Sequence, residues 1–147
     1  MVSIENYALY FCTALTDVTI PEGVTSIGDN AFNDCAGLAS VSLPVSLANI
    51  GQGAFSGCSS LVSIAIPNGV TRINEYTFAY CASLADVTIP NSVTSIGGGA
   101  FERCSSLTHI TIPASVTNIE GSPFKYCSAL QSIVVEVKNT KYDSRNA

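Results

Sequence analysis

Six cysteines and one histidine are the residues of this sequence whose types first suggest chemistry. The cysteines recur at one constant interval, at Cys12, Cys35, Cys58, Cys81, Cys104 and Cys127. No two of them have the C-x2-C spacing of a zinc site, and His109 is the single histidine that could complete one. The sequence therefore predicts no metal site and no cofactor.

A disulfide framework is the second possible use of six cysteines. If the cysteines occupy one position of parallel, in-register coils, neighbouring Cβ atoms lie about 4.8 Å apart. A disulfide prefers a Cβ–Cβ distance of about 3.8 Å. We therefore expect buried free thiols that act as small hydrophobic side chains.

His109 also raises the possibility of nucleophilic catalysis. Asp86 lies one such interval before it and Ser132 lies one interval after it, so coils stacked in register would place the three side chains side by side. A flat strand face, however, offers neither an oxyanion hole nor a pocket for a substrate. The sequence thus favours a surface histidine and predicts a chain that is not an enzyme.

The positions around each cysteine show what arranges these residues. Prolines, phenylalanines and leucines recur with the same step, and the 23-residue unit is C-x2-L-x2-[VI]-x-[ILV]-P-x2-[VL]-x2-I-x3-[AT]-F-x2. A fixed period of this length is typical of a solenoid. We predict one solenoid over residues 1–147, with a partial coil at 1–11, five repeats at 12–126, and a partial sixth repeat and irregular tail at 127–147.

Each unit predicts a short strand followed by turns. In "LTDVTIP", Val18 and Ile20 alternate with polar residues as in a half-buried strand, and Pro21 ends it. Gly28 and its repeat equivalents suggest a left-handed bend. The spacing from Ala31 and Phe32 to the next cysteine suggests one helical turn. Stacked coils would bury a column of equivalent phenylalanines, namely Phe32, Phe55, Phe78, Phe101 and Phe124.

Two surfaces are candidates for binding a protein. The strand face consists of outward strand positions with short side chains: Asp17, Thr19, Ser40, Ser42, Ser63, Asp86, Thr88, His109 and Thr111. The second surface, here named the turn row, is the position before each cysteine: Phe11, Asp34, Gly57, Tyr80, Arg103 and Tyr126. Stacking would place Arg103 between Tyr80 and Tyr126, which suits cation–π contact. The aromatic members either pack along the edge or form part of a binding ridge.

Charge and hydropathy exclude several classes of partner. The net charge is −5, with 11 acidic and 6 basic residues and no cluster of lysine or arginine, which argues against nucleic acid and anionic membrane. Apolar residues never run to the roughly 18 that a membrane-spanning helix needs. The first eleven residues, MVSIENYALYF, carry neither a basic start nor a cleavage signal, so no signal peptide is predicted in this chain.

The repeat resembles a known family. L-x2-[VI]-x-[IL] is similar to the opening of the leucine-rich repeat, and the following proline and I-G-x2-A-F-x2-C resemble the BspA-like class of leucine-rich repeat surface proteins. The resemblance implies a right-handed leucine-rich repeat coil, with short parallel strands on one face and short helical or irregular turns on the other. It implies a cell-surface or secreted protein that adheres to extracellular or host proteins. A structural spacer that presents a distal domain is the alternative.

The sequence departs from the commoner leucine-rich consensus at its asparagine. That position holds Gly23, Ser46, Gly69, Ser92 and Ser115, so we expect proline and tight backbone packing to hold the turn instead of an asparagine ladder. At the end of the chain Glu136 replaces the repeat proline, and "VEVKNTKYDSRNA" resembles the irregular segments of this family. No polar cap is evident there. We therefore expect a fragment of a longer array that associates end to end.

Overall fold

The computed structural model describes residues 2–142, and Met1 and residues 143–147 lie outside the described part. The described chain winds through about six turns of 23 residues, with parallel strands and no helix. The strands are β1 Val2–Ile4, β2 Asp17–Thr19, β3 Val24–Ile27, β4 Ser40–Ser42, β5 Asn49–Ile50, β6 Ser63–Ala65, β7 Arg72–Ile73, β8 Asp86–Thr88, β9 Ser95–Ile96, β10 His109–Ile112, β11 Asn118–Ile119 and β12 Ser132–Val135. The predicted solenoid is confirmed.

The strands form two rows, where the sequence predicted one. The predicted row, just before each repeat proline, contains the even-numbered strands β2 to β12. A second row follows the proline and contains the odd-numbered strands β1 to β11. Its longest member, β3, buries Val24 and Ile27 and leaves the two residues between them partly exposed. Coils therefore carry a second short strand in addition to the strand that the sequence predicted.

Repeat-equivalent residues pair across neighbouring coils. Asp17 pairs with Ser40, Ser63 with Asp86, and His109 with Ser132. The first row nevertheless divides into three pairs, β2–β4, β6–β8 and β10–β12, and the second row divides into two triplets. The strand pairing within each row is thus interrupted, although the coils remain stacked in register.

The turn side contains consecutive tight turns and not the predicted helical turn. The Ala31 N–H donates to the Gly28 carbonyl, and the Cys35 N–H donates to the Phe32 carbonyl, each three residues earlier. Asn30 lies within the first of these turns and Asp34 within the second, and their φ values are 55° and 58°. A helix needs φ near −63° at every residue, so the left-handed residues prevent one.

The predicted left-handed bend at Gly28 is wrong, because positive φ begins two residues later at Asn30. Gly28 has a different role, which is close approach of two coils. A Cβ atom at Gly28 would lie 2.5 Å from the backbone nitrogen of Asn6 in the preceding coil. A side chain there would therefore separate the coils locally.

The core is a set of columns along the solenoid axis. The phenylalanine rings stack with centroids 5.1 Å apart for Phe32–Phe55 and 5.6–5.7 Å apart for the three later pairs, and no pair is tilted by more than 13°. Phe32, Phe55, Phe78 and Phe101 are fully buried, and Phe124 is partly buried. The predicted phenylalanine column is confirmed.

Serines hold the turn after the proline, a role that the sequence analysis gave to proline and backbone packing. The hydroxyls of Ser46, Ser92 and Ser115 donate to carbonyls of the preceding coil at 2.7–2.8 Å. Ser46 Oγ also accepts from the Gly23 N–H at 3.0 Å. A hydroxyl thus performs the bridging that an asparagine side chain would perform in a ladder.

The tail after β12 is tied to the preceding coil, which the sequence did not suggest. The Asn139 amide donates to the carbonyls of Pro113 and Val116, both at 3.0 Å. Its oxygen accepts the backbone N–H groups of Lys141 and Tyr142, both at 2.8 Å. Polar groups of the tail therefore cover part of the preceding coil, where no polar cap was expected.

Candidate binding surfaces

The strand face is exposed at every predicted position. Each side chain points outward because its neighbour in the strand points into the core, as in β6, where exposed Ser63 and Ala65 flank buried Ile64. Pairing in register then brings equivalent positions together on one surface. The exposed predicted members are Asp17, Thr19, Ser40, Ser42, Ser63, Asp86, Thr88, His109 and Thr111.

The possible Asp86–His109–Ser132 arrangement does not form a connected catalytic group. Ser132 is the in-register neighbour of His109. The imidazole Nδ1, however, shares a hydrogen bond of 3.2 Å with the hydroxyl of the adjacent Thr108. Within residues 2–142 no hydrogen bond joins His109 to the serine or the aspartate. Since a nucleophile needs a base within hydrogen-bond reach, this geometry does not support catalysis.

The cysteines form a column of free thiols that is buried from Cys35 to Cys104 and partly exposed at both ends. Each thiol from Cys35 to Cys127 donates to the carbonyl oxygen 26 residues earlier, with Sγ–O distances of 3.0–3.2 Å. Burial raises the pKa of Cys58 and of Cys104 to about 12, and it raises the pKa of Cys81 well above its ordinary value. These thiols stay protonated at neutral pH, whereas nucleophilic attack and metal binding use the thiolate.

The turn row presents large side chains from a left-handed backbone. All six of its residues have φ between 58° and 76°. Phe11, Tyr80, Arg103 and Tyr126 are exposed. The Arg103 guanidinium carbon lies 5.7 Å from the Tyr80 ring centroid and 4.7 Å from that of Tyr126, which confirms the predicted arrangement. The Lys125 ammonium is also 4.9 Å from the Tyr126 ring centroid.

This backbone conformation disfavours the side chains found there. Left-handed φ costs a residue with a Cβ atom roughly 1–2 kcal/mol, whereas glycine adopts it freely. Glycine occupies this repeat position in one coil, at Gly57. An aromatic residue or an arginine occupies it in four other coils. Strained residues that persist in a row are a reason to look for a function.

A second left-handed slot was missed by the sequence analysis. It lies four residues before the turn row, and its members are Tyr7, Asn30, Gly53, Tyr76 and Gly99, with φ between 55° and 63°. Asparagine and glycine at one repeat position are the sequence signal that could have identified it. Tyr7 and Tyr76 are exposed, as is Tyr10 nearby, so these rings extend the aromatic surface of the turn side.

An ion pair across three coils was also missed. Arg72 on β7 donates to both carboxylate oxygens of Glu120, at 3.0 and 2.9 Å, and to Glu75 at 3.0 Å. Hydrogen bonding from Arg72 lowers the pKa of Glu120. Arg72 and Glu120 are 48 residues apart, and the repeat gives no sign of a contact that passes over an intervening coil.

Two further geometric observations concern metal ions and membranes. In the part of the chain that the structure describes, no group of three or more His, Cys, Asp or Glu side chains is placed to hold a metal ion. No helix long and apolar enough to cross a membrane occurs in the same residues.

Comparison with solved structures gives related folds from bacterial proteins. A leucine rich cell surface protein from Faecalibacterium prausnitzii A2-165 is 40% identical with a TM-score of 0.82, over 90% of this chain and 36% of that one. The leucine rich repeat protein of T. pallidum is 37% identical with a TM-score of 0.88, over 92% of this chain and 64% of that one. The chain thus spans less than two thirds of either relative. No curated protein matches it.

The pneumococcal vaccine antigen PcpA is also similar, at 25% identity, with a TM-score of 0.77 over 84% of this chain and 31% of that one.

The repeat itself gives the family assignment. Residues 2–140 match six copies of the family described as BspA type leucine rich repeat region, in agreement with the 23-residue period and the stacked coils. The chain belongs to the BspA type leucine-rich repeat family.

Proposed function

We propose that this chain is a non-enzymatic protein-binding module of a cell-surface or secreted protein, and that it adheres to extracellular or host proteins through its strand face. The observation that carries the proposal is the register of the strand face. Short polar side chains recur on every coil and leave a broad surface that loses little side-chain entropy on contact.

The family and its relatives support the coarser part of this proposal. Leucine-rich repeats generally mediate protein–protein interaction, and the relative from Faecalibacterium prausnitzii is described as a cell surface protein. Repeat proteins bind through extended surfaces that many coils build together. We therefore expect moderate affinity distributed over several coils, without one dominant residue.

The test is binding to a panel of purified extracellular-matrix proteins immobilised on a sensor. Ser63, Asp86 and His109 are replaced together by lysine, which changes the strand face of three consecutive coils. A matched variant carries lysine at Thr71, Thr94 and Thr117, which are exposed beside the second strand row of the same coils. Melts followed by circular dichroism check that both variants fold.

We expect the strand-face variant to lose binding and the matched variant to keep it. Binding that survives the strand-face change would show that this surface is not the site, and the turn row would become the better candidate. Absence of binding by the unmodified chain to the whole panel would contradict the proposal and favour the spacer alternative.

End-to-end association is a further part of the proposal. Three strands near the ends of the solenoid, β1, β2 and β12, are end strands of their sheets. An open strand edge can template further pairing. Light scattering at rising concentration should then show growth beyond the monomer. A particle size independent of concentration would contradict it.

A further inference from the structure

We propose that the turn row is an interface at which a second copy of this chain binds antiparallel. This goes beyond the proposed function, because it uses a different side of the coil and a partner of identical sequence. Its basis is the order of side chains along the row, which runs Phe11, Asp34, Gly57, Tyr80, Arg103 and Tyr126.

Reversing the row gives a complementary partner for each coil. A two-fold axis between the coils of Gly57 and Tyr80 places Phe11 opposite the partner's Tyr126, and Asp34 opposite the partner's Arg103. Both rows have the same repeat spacing, so the match holds over all six coils. A two-fold interface uses one patch twice, so each contact occurs twice.

The charged pair is chemically suited to this contact. The Arg103 guanidinium carbon lies over the rings of both Tyr80 and Tyr126. Within residues 2–142 the guanidinium donates no hydrogen bond, and its nearest carboxylate is Glu102 at 4.0 Å. The N–H edge, which binds a carboxylate in a bidentate manner, is therefore available to Asp34 of a second copy. The Asp34 carboxylate likewise has no described hydrogen bond or ion pair.

Side-chain size follows the same symmetry. At the four middle positions of the row, the smaller residues Asp34 and Gly57 precede the larger residues Tyr80 and Arg103, whereas the two end positions, Phe11 and Tyr126, are both aromatic. In the second left-handed slot the same axis places Tyr76 opposite Gly53. Two antiparallel copies thus bring long side chains against short ones at the middle positions, whereas parallel copies would oppose Tyr to Tyr and Arg to Arg.

The distribution of charge favours the same orientation. Residues 1–71 contain five acidic residues and no lysine or arginine, and all six basic residues follow from Arg72 onward. Antiparallel pairing therefore brings the acidic half of each copy against the half that contains the cations. Like charges placed opposite each other would disfavour the parallel arrangement.

A pair formed in this way leaves both strand faces uncovered. The two-fold interface is closed, so it gives a dimer and not a filament. Two strand faces in one particle would increase the apparent affinity for a repetitive surface. Dimerisation can be measured without any ligand, so its failure is distinguishable from failure of the proposed function.

The experiment is sedimentation equilibrium of the chain under reducing conditions, with three variants. Asp34→Arg and Arg103→Asp each create like-charge pairs across the interface, and the double variant restores opposite charges in exchanged positions. Each slot already holds the residue types used, which limits changes in folding. Asp17→Arg on the strand face is the control for a change of net charge, and circular dichroism confirms folding.

We expect the unmodified chain to form a dimer that either single change weakens about tenfold or more, whereas end-to-end association should be the same in every variant. The double variant and Asp17→Arg should dimerise as the unmodified chain does, and added salt should weaken the dimer. A folded chain that stays monomeric, or dimerisation that the single changes leave unaltered, would overturn the inference. Failure of the double variant to recover would also overturn it.

Discussion

At the scale of single residues, each buried side chain acts as a member of a column. Phe78 is fully buried and stacks between Phe55 and Phe101, at centroid distances of 5.7 and 5.6 Å. Phe124, at the end of the column, is only partly buried. Equivalent repeat positions are therefore not energetically equivalent, and position along the column should decide the cost of substitution.

Replacing Phe78 with alanine should lower the free energy of unfolding by about 3–5 kcal/mol, because it leaves a cavity and removes a stacking partner from two rings. The same change at Phe124 should cost less, since that ring is already partly exposed. Urea unfolding of both variants measures the difference. Equal losses at the two positions would mean that the column does not govern stability.

The thiol column gives a second test at this scale. We expect iodoacetamide at pH 8 to modify Cys12 and Cys127 first in the folded protein, because these two are partly exposed. Cys58 and Cys104, with pKa raised to about 12 by burial, should react slowly. Mass spectrometry after denaturation without reductant should find six modified cysteines. A smaller number would show that disulfides form, contrary to the expected free thiols.

At the scale of elements, the Arg72–Glu120 pair joins β7 to the end of β11 across β9. Hydrogen bonding from Arg72 lowers the pKa of Glu120 below its ordinary value of 4.5. The unfolded chain therefore binds this proton more tightly than the folded chain does. The pair stabilises the fold above pH 4.5, and its contribution disappears as the pH falls through the folded-state pKa.

Replacing Glu120 with glutamine should consequently lower the melting temperature at pH 7 and have a diminishing effect as the pH approaches 3. Both side chains are partly exposed, so we expect a small effect. Asp86→Asn, which removes an exposed carboxylate from the strand face, serves as the control. Melting curves between pH 7 and pH 3 give the comparison. A difference between Glu120→Gln and the unmodified chain that does not change with pH would contradict this role of the pair.

The elements also show which parts of the fold the sequence could predict. Alternation around Val18 predicted the first strand row, and the constant repeat step predicted the stacked phenylalanines, because both signals repeat in every coil. The spacing from Ala31 to Cys35 suggested a helical turn, but Asn30 and Asp34 are left-handed and prevent one. Residue type alone did not show this, since Tyr, Arg and Phe occupy the same slots in other coils.

The candidate surfaces were predictable to a similar degree. Register alone placed the strand-face residues together and set Arg103 between two tyrosines, because both follow from stacking identical units. The Arg72–Glu120 pair and the bonds of Asn139 involve residues that depart from the repeat. A consensus carries no information about such departures, so these contacts required the structure.

At the scale of the whole molecule, a solenoid is nearly one-dimensional, since each coil contacts mainly its neighbours. A local change should then remain local unless it breaks the stack. The coil of residues 104–126 offers a clear case, because its strand β11 is an end strand of its sheet. Its Ile119 N–H donates to the Tyr142 hydroxyl at 3.0 Å, and the Ala114 N–H donates to Glu136 at 2.8 Å.

Asn139 holds this arrangement through four hydrogen bonds, two to carbonyls of the preceding coil and two from the backbone that leads to Tyr142. Replacing Asn139 with alanine should release residues 139–142 and expose the backbone of residues 113–119. We expect their amide hydrogen exchange to accelerate by about tenfold, whereas exchange in β3 to β8 stays unchanged. Asn91→Ala, at an exposed asparagine two coils earlier, should leave both regions unaltered. Mass spectrometry of peptides from each coil makes the comparison. Acceleration spread evenly over all coils would mean that the solenoid opens as one cooperative unit, and an unchanged rate at residues 113–119 would mean that Asn139 does not stabilise this end.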